Sequence, residues 1–454
     1  ELDSLASSMA AGLSDLGVKK GDRVILQLQN IPQFLIALNA CWKLGAIVVP
    51  LNPMYKEREL EFYCNDSGAE VFITMESCYP EVRGLLNKTP LKWIITTSEL
   101  DFLPSEYPIP SVLKTSKKEK FEGTQDLMNF LSKYEGARFA ESKLRPQEVA
   151  YLTYTSGTTG PPKGAMNTHG NVVFGAHTYR MAWDLNKEDR ILAVAPFFHV
   201  TGSIAQLATA SSVGIPVIAF FRFEPGEVLR LTEKWQASVI VGPLTVFIGL
   251  LDHPDFKKRD ISSLKKMISG GAPVAEGFVN RFEQATDKYI HNGYGLTETT
   301  SPSIITPLGL RDPVDPDTNA FPIGFPIPST IAKIADVETG VELPPGEVGE
   351  IIIKGPTVVP GYWNNPEETA NAIKDGWLYT GDVGKMDEDG WFYIVDRKKD
   401  LINASGYKVW PRDVEDVLYM HPAVKEACVV GVPDLYRGET VKAFVTLTES
   451  YKGK

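Results

Sequence analysis

Short runs of β-branched residues alternate with segments of helical period through the first two thirds of this 454-residue chain. The first group of runs reads RVILQLQ, AIVVPL, VFIT and WIITT. The second group reads VAYLTYT, RILAVA, PVIAFF, SVIVG and KKMIS. Such alternation is typical of β/α units with largely parallel strands. We therefore predict an α/β fold with two successive β/α layers over about residues 1–323.

The pattern changes from Gly324 onward, where strand-turn-strand segments with Gly, Pro and Asp turns begin. They predict a small antiparallel, β-barrel-like unit over residues 324–398, which completes a large N-terminal domain of residues 1–398. An amphipathic helix around Arg412–Met420 and the runs ACVVGV and VKAFVTL follow. They predict a small mixed α+β C-terminal domain over residues 399–454, of which the chain holds only the beginning.

Length and charge narrow the classes of function. The chain exceeds the length at which one hydrophobic core usually stops growing, so a cleft between packed units is expected. A net charge of −11 and a pI near 5.2 argue against a nucleic-acid partner and against attraction to anionic lipid. The one basic cluster, Lys114–Lys120, is interpreted as a solvated loop, with contact to an acidic partner as the alternative.

The cysteines show no CxxC or metal-ligand spacing; they are Cys41, Cys64, Cys78 and Cys428. We interpret them as buried free thiols in a reducing compartment, which predicts a cytoplasmic protein. The apolar stretches are interrupted by charged or turn-forming residues and predict no integral membrane segment. The chain begins inside an amphipathic pattern without a visible signal peptide, so a targeting segment ahead of Glu1 is left open, as is the oligomeric state.

The segment TSGTTGPPKG, Thr155–Gly164, follows a predicted strand. Its glycines let backbone N–H groups turn toward oxyanions, and its hydroxyls and Lys163 add further donors. The segment therefore predicts a triphosphate cradle, with a flexible surface turn as the alternative. It is not a Walker A motif, because no Gly-Lys-Ser/Thr follows at the required spacing, and simple γ-phosphate hydrolysis is not predicted.

A second segment, NGYGLTE, places an aromatic ring, a hydroxyl and a carboxylate close together after the run KYIH. Tyr294 could stack on a purine, Thr297 could bond a phosphate, and Glu298 could ligate Mg²⁺, which takes few protein carboxylates. A plain loop after a core strand is the alternative. Further along, Asp382 and Arg397 are suited to binding ribose hydroxyls, or else form a surface ion pair.

These segments, in this order, resemble the family of adenylate-forming enzymes, which includes acyl-CoA synthetases, firefly luciferase and the adenylation domains of peptide synthetases. The resemblance covers nearly the whole chain and is strongest to medium- or long-chain fatty acyl-CoA synthetases. The nucleotide-binding residues that it implies are Thr155, Ser156, Gly157, Thr158, Thr159, Gly160, Lys163, Gly271, Ala272, Pro273, Asn292, Gly293, Tyr294, Gly295, Thr297, Asp382 and Arg397.

The resemblance also implies roles in catalysis and motion. Glu298 and Thr155 would lie at the metal. The implied catalytic residues are Lys163, His199, Thr297 and Glu298. The hinge of the mobile C-terminal domain would be Lys399, and the passage for CoA would be lined by Ser405, Gly406 and Tyr407.

The implied reaction has two half-reactions at one site. A carboxylate attacks the α-phosphorus of ATP to give acyl-AMP and pyrophosphate, and the CoA thiol then displaces AMP. ATP, Mg²⁺ and CoA are therefore expected. The family's C-terminal domain continues to a further lysine beyond Lys454, which we expect to be disordered or deleted here. A non-catalytic nucleotide-binding homologue is the alternative of a different class.

The acid substrate is constrained by PFFHVTG, where no carboxylate stands near His199 to bind an amino group. The resemblance places His199 beside the substrate carboxylate, and a packed core histidine is the alternative. We expect an apolar acyl pocket, which favours a medium- or long-chain fatty acid over an aromatic acid. The pocket residues expected are His199, Val241, Phe247 and Ile304.

Overall fold

The computed structural model describes residues 1–155, 161–271, 276–315, 321–397, 400, 402–404, 407–409, 411–419, 421–434, 438–448 and 451. Within this part of the chain, strands and helices alternate as the sequence predicts, and they form two large sheets and one small one.

The first sheet has the strand order β5-β4-β3-β1-β2-β6-β7. Its first six strands are parallel, and β7 pairs antiparallel with β6. The strands are β1 Arg23–Gln27, β2 Ile47–Pro50, β3 Val71–Met75, β4 Trp93–Thr97, β5 Gln125–Asp126, β6 Val149–Tyr154 and β7 Gly164–Thr168.

Helices connect and cover these strands. They are α1 Leu2–Asp15, α2 Pro32–Leu44, α3 Glu57–Ser67, α4 Tyr79–Val82, α5 Leu127–Lys133 and α6 His169–Ala182. α2 shows how the sequence sets helix bounds: Pro32 supplies a first residue that needs no N–H partner, and Gly45 ends the helix at φ 77°. Its buried face carries Phe34 and Cys41, which join the core between the two sheets.

The second sheet has the order β15-β16-β18-β19-β14-β13-β12-β11-β10-β8-β9, with β17 paired to β18. β8 to β12 are parallel, and the remaining pairs are antiparallel. The strands are β8 Ile191–Leu192, β9 Val217–Ile218, β10 Val239–Gly242, β11 Lys266–Gly270, β12 Ile290–Tyr294, β13 Ile304–Ile305, β14 Pro322–Pro326, β15 Ile331–Ala335, β16 Gly349–Lys354, β17 Ile373–Lys374, β18 Trp377–Met386 and β19 Phe392–Arg397.

The helices of this half follow the same alternation. They are α7 Thr209–Val213, α8 Pro225–Trp235, α9 Leu244–Leu251, α10 Glu276–Thr286 and α11 Pro366–Ala372, with a π-helix at Thr201–Ala208 ahead of α7. π-Helices are rare and recur at functional sites. This one begins two residues after His199.

The two predicted β/α layers are present, and the antiparallel unit differs from expectation in one respect. Its strand β14 pairs with β13, so β14 to β19 extend the second sheet instead of standing apart as a barrel-like unit. The join depends on backbone pairing of β13, a two-residue strand too short to be recognised in the sequence.

The small C-terminal sheet has the order β21-β20-β23-β22 and is antiparallel. Its elements are β20 Ile402–Ala404, β21 Tyr407–Val409, α12 Pro411–Tyr419, β22 Val424–Asp434 and β23 Gly438–Leu447. The predicted mixed α+β pattern is confirmed, and α12 begins one residue before the expected helix. The domain boundaries at residues 398 and 399 stay predictions.

One buried apolar cluster runs through both large sheets, from Met9 and Phe34 to Val241 and Ile268. Asn30 also ties them together: its Nδ2 donates to the carbonyls of Ala193 and Ala195, each at 3.0 Å. The two layers therefore form one continuous packed body. In the ranges given above, no helix combines the length and the apolar character needed to cross a membrane.

All four cysteines are free thiols. Cys41 and Cys64 are buried as predicted, and burial raises the pKa of each thiol to about 12. Cys78 is partly buried. The prediction of burial is wrong for Cys428, which is exposed on β22.

Candidate active site

A cavity of about 380 Å³ lies at the carboxyl ends of the parallel strands β10, β11 and β12. Open α/β sheets bind ligands at this edge, where the connections leave a crevice. The segments that follow the strands supply most of the wall. They are residues 198–201, 241–243, 268–271 and 293–297.

Tyr294, the last residue of β12, forms part of the wall and is nearly buried. Its Oη donates a hydrogen bond of 2.7 Å to Oδ2 of Asp382 on β18. Burial, and then the neighbouring Asp382 carboxylate, raise the pKa of Tyr294 well above its usual value, so the phenol stays a neutral donor. Asp382 in turn lies opposite Arg397 in the β18–β19 register. Three residues are expected to bind the nucleoside. The structure brings the side chains of Tyr294 and Asp382 together and places the backbone of Arg397 opposite Asp382.

The loop after Tyr294 is held tightly. A Cβ on Gly295 would lie 1.2 Å from the carbonyl oxygen of Ser301, so only glycine fits there. Thr300 and Ser301 have φ angles of 52° and 82°. Residues other than glycine rarely adopt this left-handed backbone conformation. Asn167 on β7 donates to the carbonyl of Thr297 at 2.9 Å and to Oγ1 of Thr300 at 3.0 Å. These contacts fix Thr297 in the cavity wall.

Glu298 follows Thr297 and faces the first sheet. Its Oε1 accepts a hydrogen bond of 2.7 Å from the Oη of Tyr362. In the part of the chain that the structure describes, this is the one side-chain hydrogen bond of that carboxylate, which leaves Oε2 for a cation. No group of three His, Cys, Asp or Glu side chains there could hold a metal. A single carboxylate fits Mg²⁺, which keeps several waters and binds chiefly through substrate phosphates.

Lys163 stands just before β7, at the end of the glycine-rich loop. The backbone N–H of Thr155 donates to the Lys163 carbonyl at 3.0 Å, so the loop closes the β6–β7 hairpin. Lys163 Nζ forms an ion pair with Glu368 on α11 and lies 5.3 Å from the ring centre of Tyr362. Five expected residues of this loop lie outside the described part; they are Ser156, Gly157, Thr158, Thr159 and Gly160.

The glycine segment after β11 supplies another wall. Gly270 cannot carry a Cβ, which would lie 2.8 Å from the carbonyl oxygen of Gly293, so β11 and β12 approach closely at this point. Ser269 lines the cavity with a buried Oγ that has no partner within the described chain, and a ligand could satisfy it. Gly271 follows it in the wall, and the expected Ala272 and Pro273 lie outside the described residues.

His199 opens onto the cavity, so it is not the packed core histidine that was the alternative. Its Nδ1 accepts a hydrogen bond of 3.2 Å from the backbone N–H of Thr201. The side chain is open to the cavity, but protein groups around the ring remove much of its water. This desolvation lowers the pKa of His199 below the usual value. The imidazole is therefore neutral at neutral pH. Val241, also expected in the acyl pocket, lines the same cavity.

Two residues expected in the acyl pocket lie elsewhere. Phe247 is fully buried on α9, where its ring packs edge-on against Phe282 at 5.8 Å. Ile304 is buried on the opposite side of β13, in a cluster with Ile323. Side chains alternate along a strand, so it is the neighbouring Ile305 that faces the cavity. Neither Phe247 nor Ile304 therefore lines this cavity.

Several site residues were not foreseen. Tyr179 on α6 lines the cavity and shares a hydrogen bond of 2.7 Å with Ser301. Tyr362, Glu368 and Asn167 contact the expected site residues from distant parts of the chain, and no local motif announces them. The expected hinge Lys399 and the passage residues Ser405 and Gly406 lie outside the described part, whereas the backbone of Tyr407 opens β21.

Fold and site together describe an α/β protein with a cavity at the carboxyl ends of parallel strands. The ion pair of Lys163 and the carboxylate of Glu298 meet at Tyr362. The AMP-binding enzyme family matches residues 1–363, and the AMP-binding enzyme C-terminal domain matches residues 413–453. The chain belongs to the AMP-binding enzyme family.

Known proteins support a narrower class. A long-chain-fatty-acid–CoA ligase of Bacillus subtilis (strain 168) is 40% identical over 98% of this chain and 80% of its own length. ATP-bound MatB from Rhodopseudomonas palustris is 29% identical with a TM-score of 0.87, over 100% of this chain and 84% of that one. The o-succinylbenzoate CoA synthetase MenE of Bacillus subtilis, in complex with ATP and magnesium, is 29% identical with a TM-score of 0.81, over 98% and 84%.

The protein is accordingly an ATP-dependent, AMP-forming acid–CoA ligase. It uses ATP, Mg²⁺ and CoA, as the sequence predicts. Its small-molecule substrates are a carboxylic acid and CoA. The alternative of a non-catalytic homologue is not supported.

Proposed function

We propose that this ligase activates a medium- or long-chain fatty acid. The apolar side chains of Phe198, Val200 and Val241 surround His199 in the cavity wall, and Ile305 closes it from β13. Apolar walls with a few polar groups suit an acid with a hydrocarbon tail. The relative with 40% identity is a long-chain-fatty-acid–CoA ligase, which supports the same substrate class.

A second cavity is the main observation that supports a long-chain substrate. It measures about 490 Å³, lies between the first sheet and the edge strand β9, and is lined mainly by apolar side chains such as Leu113, Val217 and Phe220. Asn30 lies in its wall and holds the backbone of Ala195, which lines the active-site cavity. The two cavities therefore flank the same segment. An acyl tail that passes the segment with Ala195 would enter the second cavity and bury more apolar surface there. The active-site cavity, which also has to hold the adenylate, does not offer this additional surface.

The nucleotide roles are proposed as follows. The loop with Lys163 orients the β- and γ-phosphates, Thr297 contacts the α-phosphate, and Glu298 binds Mg²⁺, with Thr155 nearby. The metal, when bound, neutralises charge on the phosphoryl oxygens. Tyr294 lies against the base beside Asn292, while Asp382 and Arg397 bind the ribose. Pyrophosphate is the leaving group of the first half-reaction.

His199 is proposed to lie beside the substrate carboxylate and the incoming thiol. A neutral imidazole donates or accepts one hydrogen bond without attracting a second anion, which suits a site that holds a carboxylate and then a thioester. In the second half-reaction the C-terminal domain would turn about Lys399, and Ser405, Gly406 and Tyr407 would line the passage of CoA.

An aromatic acid is the second candidate substrate. It is favoured by the likeness to the o-succinylbenzoate CoA synthetase, whose substrate is a benzoate. An aromatic acid would fill the active-site cavity and leave the cavity at Leu113 unused. We also propose a cytoplasmic location, since Cys41 and Cys64 are free thiols.

The decisive experiment measures pyrophosphate release from the full-length protein over saturated acids of increasing length and over benzoates, with and without CoA. We expect the highest kcat/KM with a medium- or long-chain fatty acid and AMP-forming thioester synthesis only with CoA. Glu298→Ala should reduce ATP–pyrophosphate exchange severely, and the exposed Glu388→Ala should not. Near-normal exchange in Glu298→Ala, or a preference for benzoates, would refute the respective assignment.

A further inference from the structure

The ion pair between Lys163 and Glu368 has a consequence for how tightly the enzyme binds the triphosphate. Lys163 is the cation that the glycine-rich loop contributes to the phosphate site. In the structure its charge is already neutralised by a carboxylate of the protein itself. Any phosphate oxygen that binds this lysine must displace the carboxylate or share the lysine with it.

Both partners are held in place by short backbone tethers. Lys163 is anchored through its carbonyl, which accepts from Thr155. Glu368 lies in the first turn of α11, where its backbone N–H donates to the side chain of Asn365 at 3.2 Å. The strand-like segment that precedes α11 runs along β7: the N–H of Trp363 donates to the carbonyl of Gly164 at 2.8 Å. The backbones that carry the ammonium and the carboxylate are therefore held next to each other.

Tyr362 completes the arrangement. Its ring lies under Lys163 and its hydroxyl binds Glu298, so the ring occupies the space between the lysine and the metal carboxylate. The ammonium group of Lys163 is consequently stabilised by a cation–π contact with the Tyr362 ring and by the ion pair with Glu368. Moving the ammonium group toward a triphosphate gives up the ion pair and leaves the Glu368 carboxylate facing new negative charge.

We infer that Glu368 sets the affinity of the enzyme for ATP and pyrophosphate by competing with their phosphates for Lys163. The inference rests on the proposed role of Lys163 at the β- and γ-phosphates. Glu368 is a specificity-determining residue in this scheme: it opposes anions that reach Lys163 and leaves AMP, which has only the α-phosphate, unaffected. It also favours departure of pyrophosphate after the first half-reaction.

The size of the effect follows from exposure. The Lys163 and Glu368 side chains are 24% and 41% exposed, so water screens the pair. Partly exposed ion pairs change equilibria by about two- to fivefold. Glu368→Gln keeps the shape of the side chain and removes its charge. We therefore expect it to tighten binding of MgATP and of pyrophosphate by two- to fivefold, with AMP binding unchanged.

The test is calorimetric titration of the full-length protein with MgATP, pyrophosphate and AMP at low and high salt. Glu367→Gln is the matched control, because Glu367 is the adjacent, exposed residue of the same helix turn. Lys163→Ala reports on the phosphate site itself. The gain for Glu368→Gln should shrink at high salt, as expected for a charge effect.

The outcomes separate the two claims. If Lys163→Ala weakens MgATP relative to AMP but Glu368→Gln leaves that ratio unchanged or lowers it, the inference about Glu368 is wrong and the proposed phosphate site stands. An equal gain in Glu367→Gln would also overturn it, because the effect would then be general charge reduction. If Lys163→Ala leaves the ratio unchanged, the proposed role of Lys163 fails and the inference fails with it. Unchanged AMP binding in every variant shows that the site is folded.

Discussion

The Oη of Tyr362 lies 2.7 Å from Oε1 of Glu298, although the two residues are 64 positions apart in the sequence. Burial, and then the carboxylate, raise the pKa of Tyr362 above its usual value, so the phenol remains protonated and donates. The bond fixes one oxygen of Glu298 and orients the other. Tyr362 is thus in a position to align the carboxylate that we propose as a metal ligand.

Removing this hydroxyl should change the response to the metal. In Tyr362→Phe we expect the Mg²⁺ concentration for half-maximal pyrophosphate exchange to rise by about tenfold, since a hydrogen bond to a charged group is lost. Tyr379→Phe is the control, because the Tyr379 hydroxyl has no hydrogen bond in the described chain. Unchanged Mg²⁺ dependence in Tyr362→Phe, with only a lower thermal midpoint, would reduce Tyr362 to a structural role.

Two glycines should respond to alanine in opposite ways. A methyl group on Gly295 would collide with the Ser301 carbonyl, and the loop carrying Thr297 would have to move. We expect Gly295→Ala to lose about 1–3 kcal/mol of stability and most ATP binding. Gly277 on α10 has open space around it, and Gly277→Ala should gain about 0.5–1 kcal/mol. Chemical denaturation and ATP titration check both; normal ATP binding in Gly295→Ala would contradict the close approach.

Chain-length preference should depend on the second cavity. Val217 is a partly buried residue of the edge strand β9 in its wall, so a larger side chain there takes up space in the cavity. Val217→Trp should lower kcat/KM for a sixteen-carbon acid by about tenfold while an eight-carbon acid is used almost normally. Ile109→Trp, at an exposed position outside the lining, is the control. Equal losses for both acids would show that the tail does not enter this cavity.

Asp312 should make stability depend on pH. Burial raises the pKa of its carboxyl to about 6 from the usual 3.8, even though Tyr289 donates to it at 2.8 Å. A group with a raised folded pKa stabilises the protein below pH 4, and that contribution is lost as pH rises through 6. We therefore expect the stability of the wild type relative to Asp312→Asn to fall by about 2 kcal/mol between pH 4 and pH 7. Denaturant unfolding across this range measures it, and a flat difference would contradict the shift.

Several features were predictable because neighbours in sequence carry them. The alternation of apolar runs predicts the parallel strands β8 to β12, and parallel strands place their carboxyl ends together. Tyr294, Thr297 and Glu298 follow one of those ends directly. The presence of Tyr294 and Thr297 in the cavity wall follows from chain order and from the geometry of a parallel sheet.

Other features could not be read locally. The strand β13 has only two residues, so the alternation of side chains along it does not tell which of Ile304 and Ile305 faces the cavity. The side of α9 on which Phe247 is buried depends on how this helix packs against its neighbours. The union of the antiparallel unit with the second sheet likewise depends on backbone pairing between β13 and β14.

By itself the sequence determined the α/β class, the position of Lys163 ahead of β7 and the position of the Glu298 carboxylate after β12, because local hydrogen bonding and strand order set these. Only the tertiary structure decided that Tyr362 meets Glu298 and that Glu368 neutralises Lys163, residues 205 positions apart. Contacts of that kind depend on how the segment before α11 pairs with β7, and pairing between distant backbone segments leaves no periodic signal in the chain.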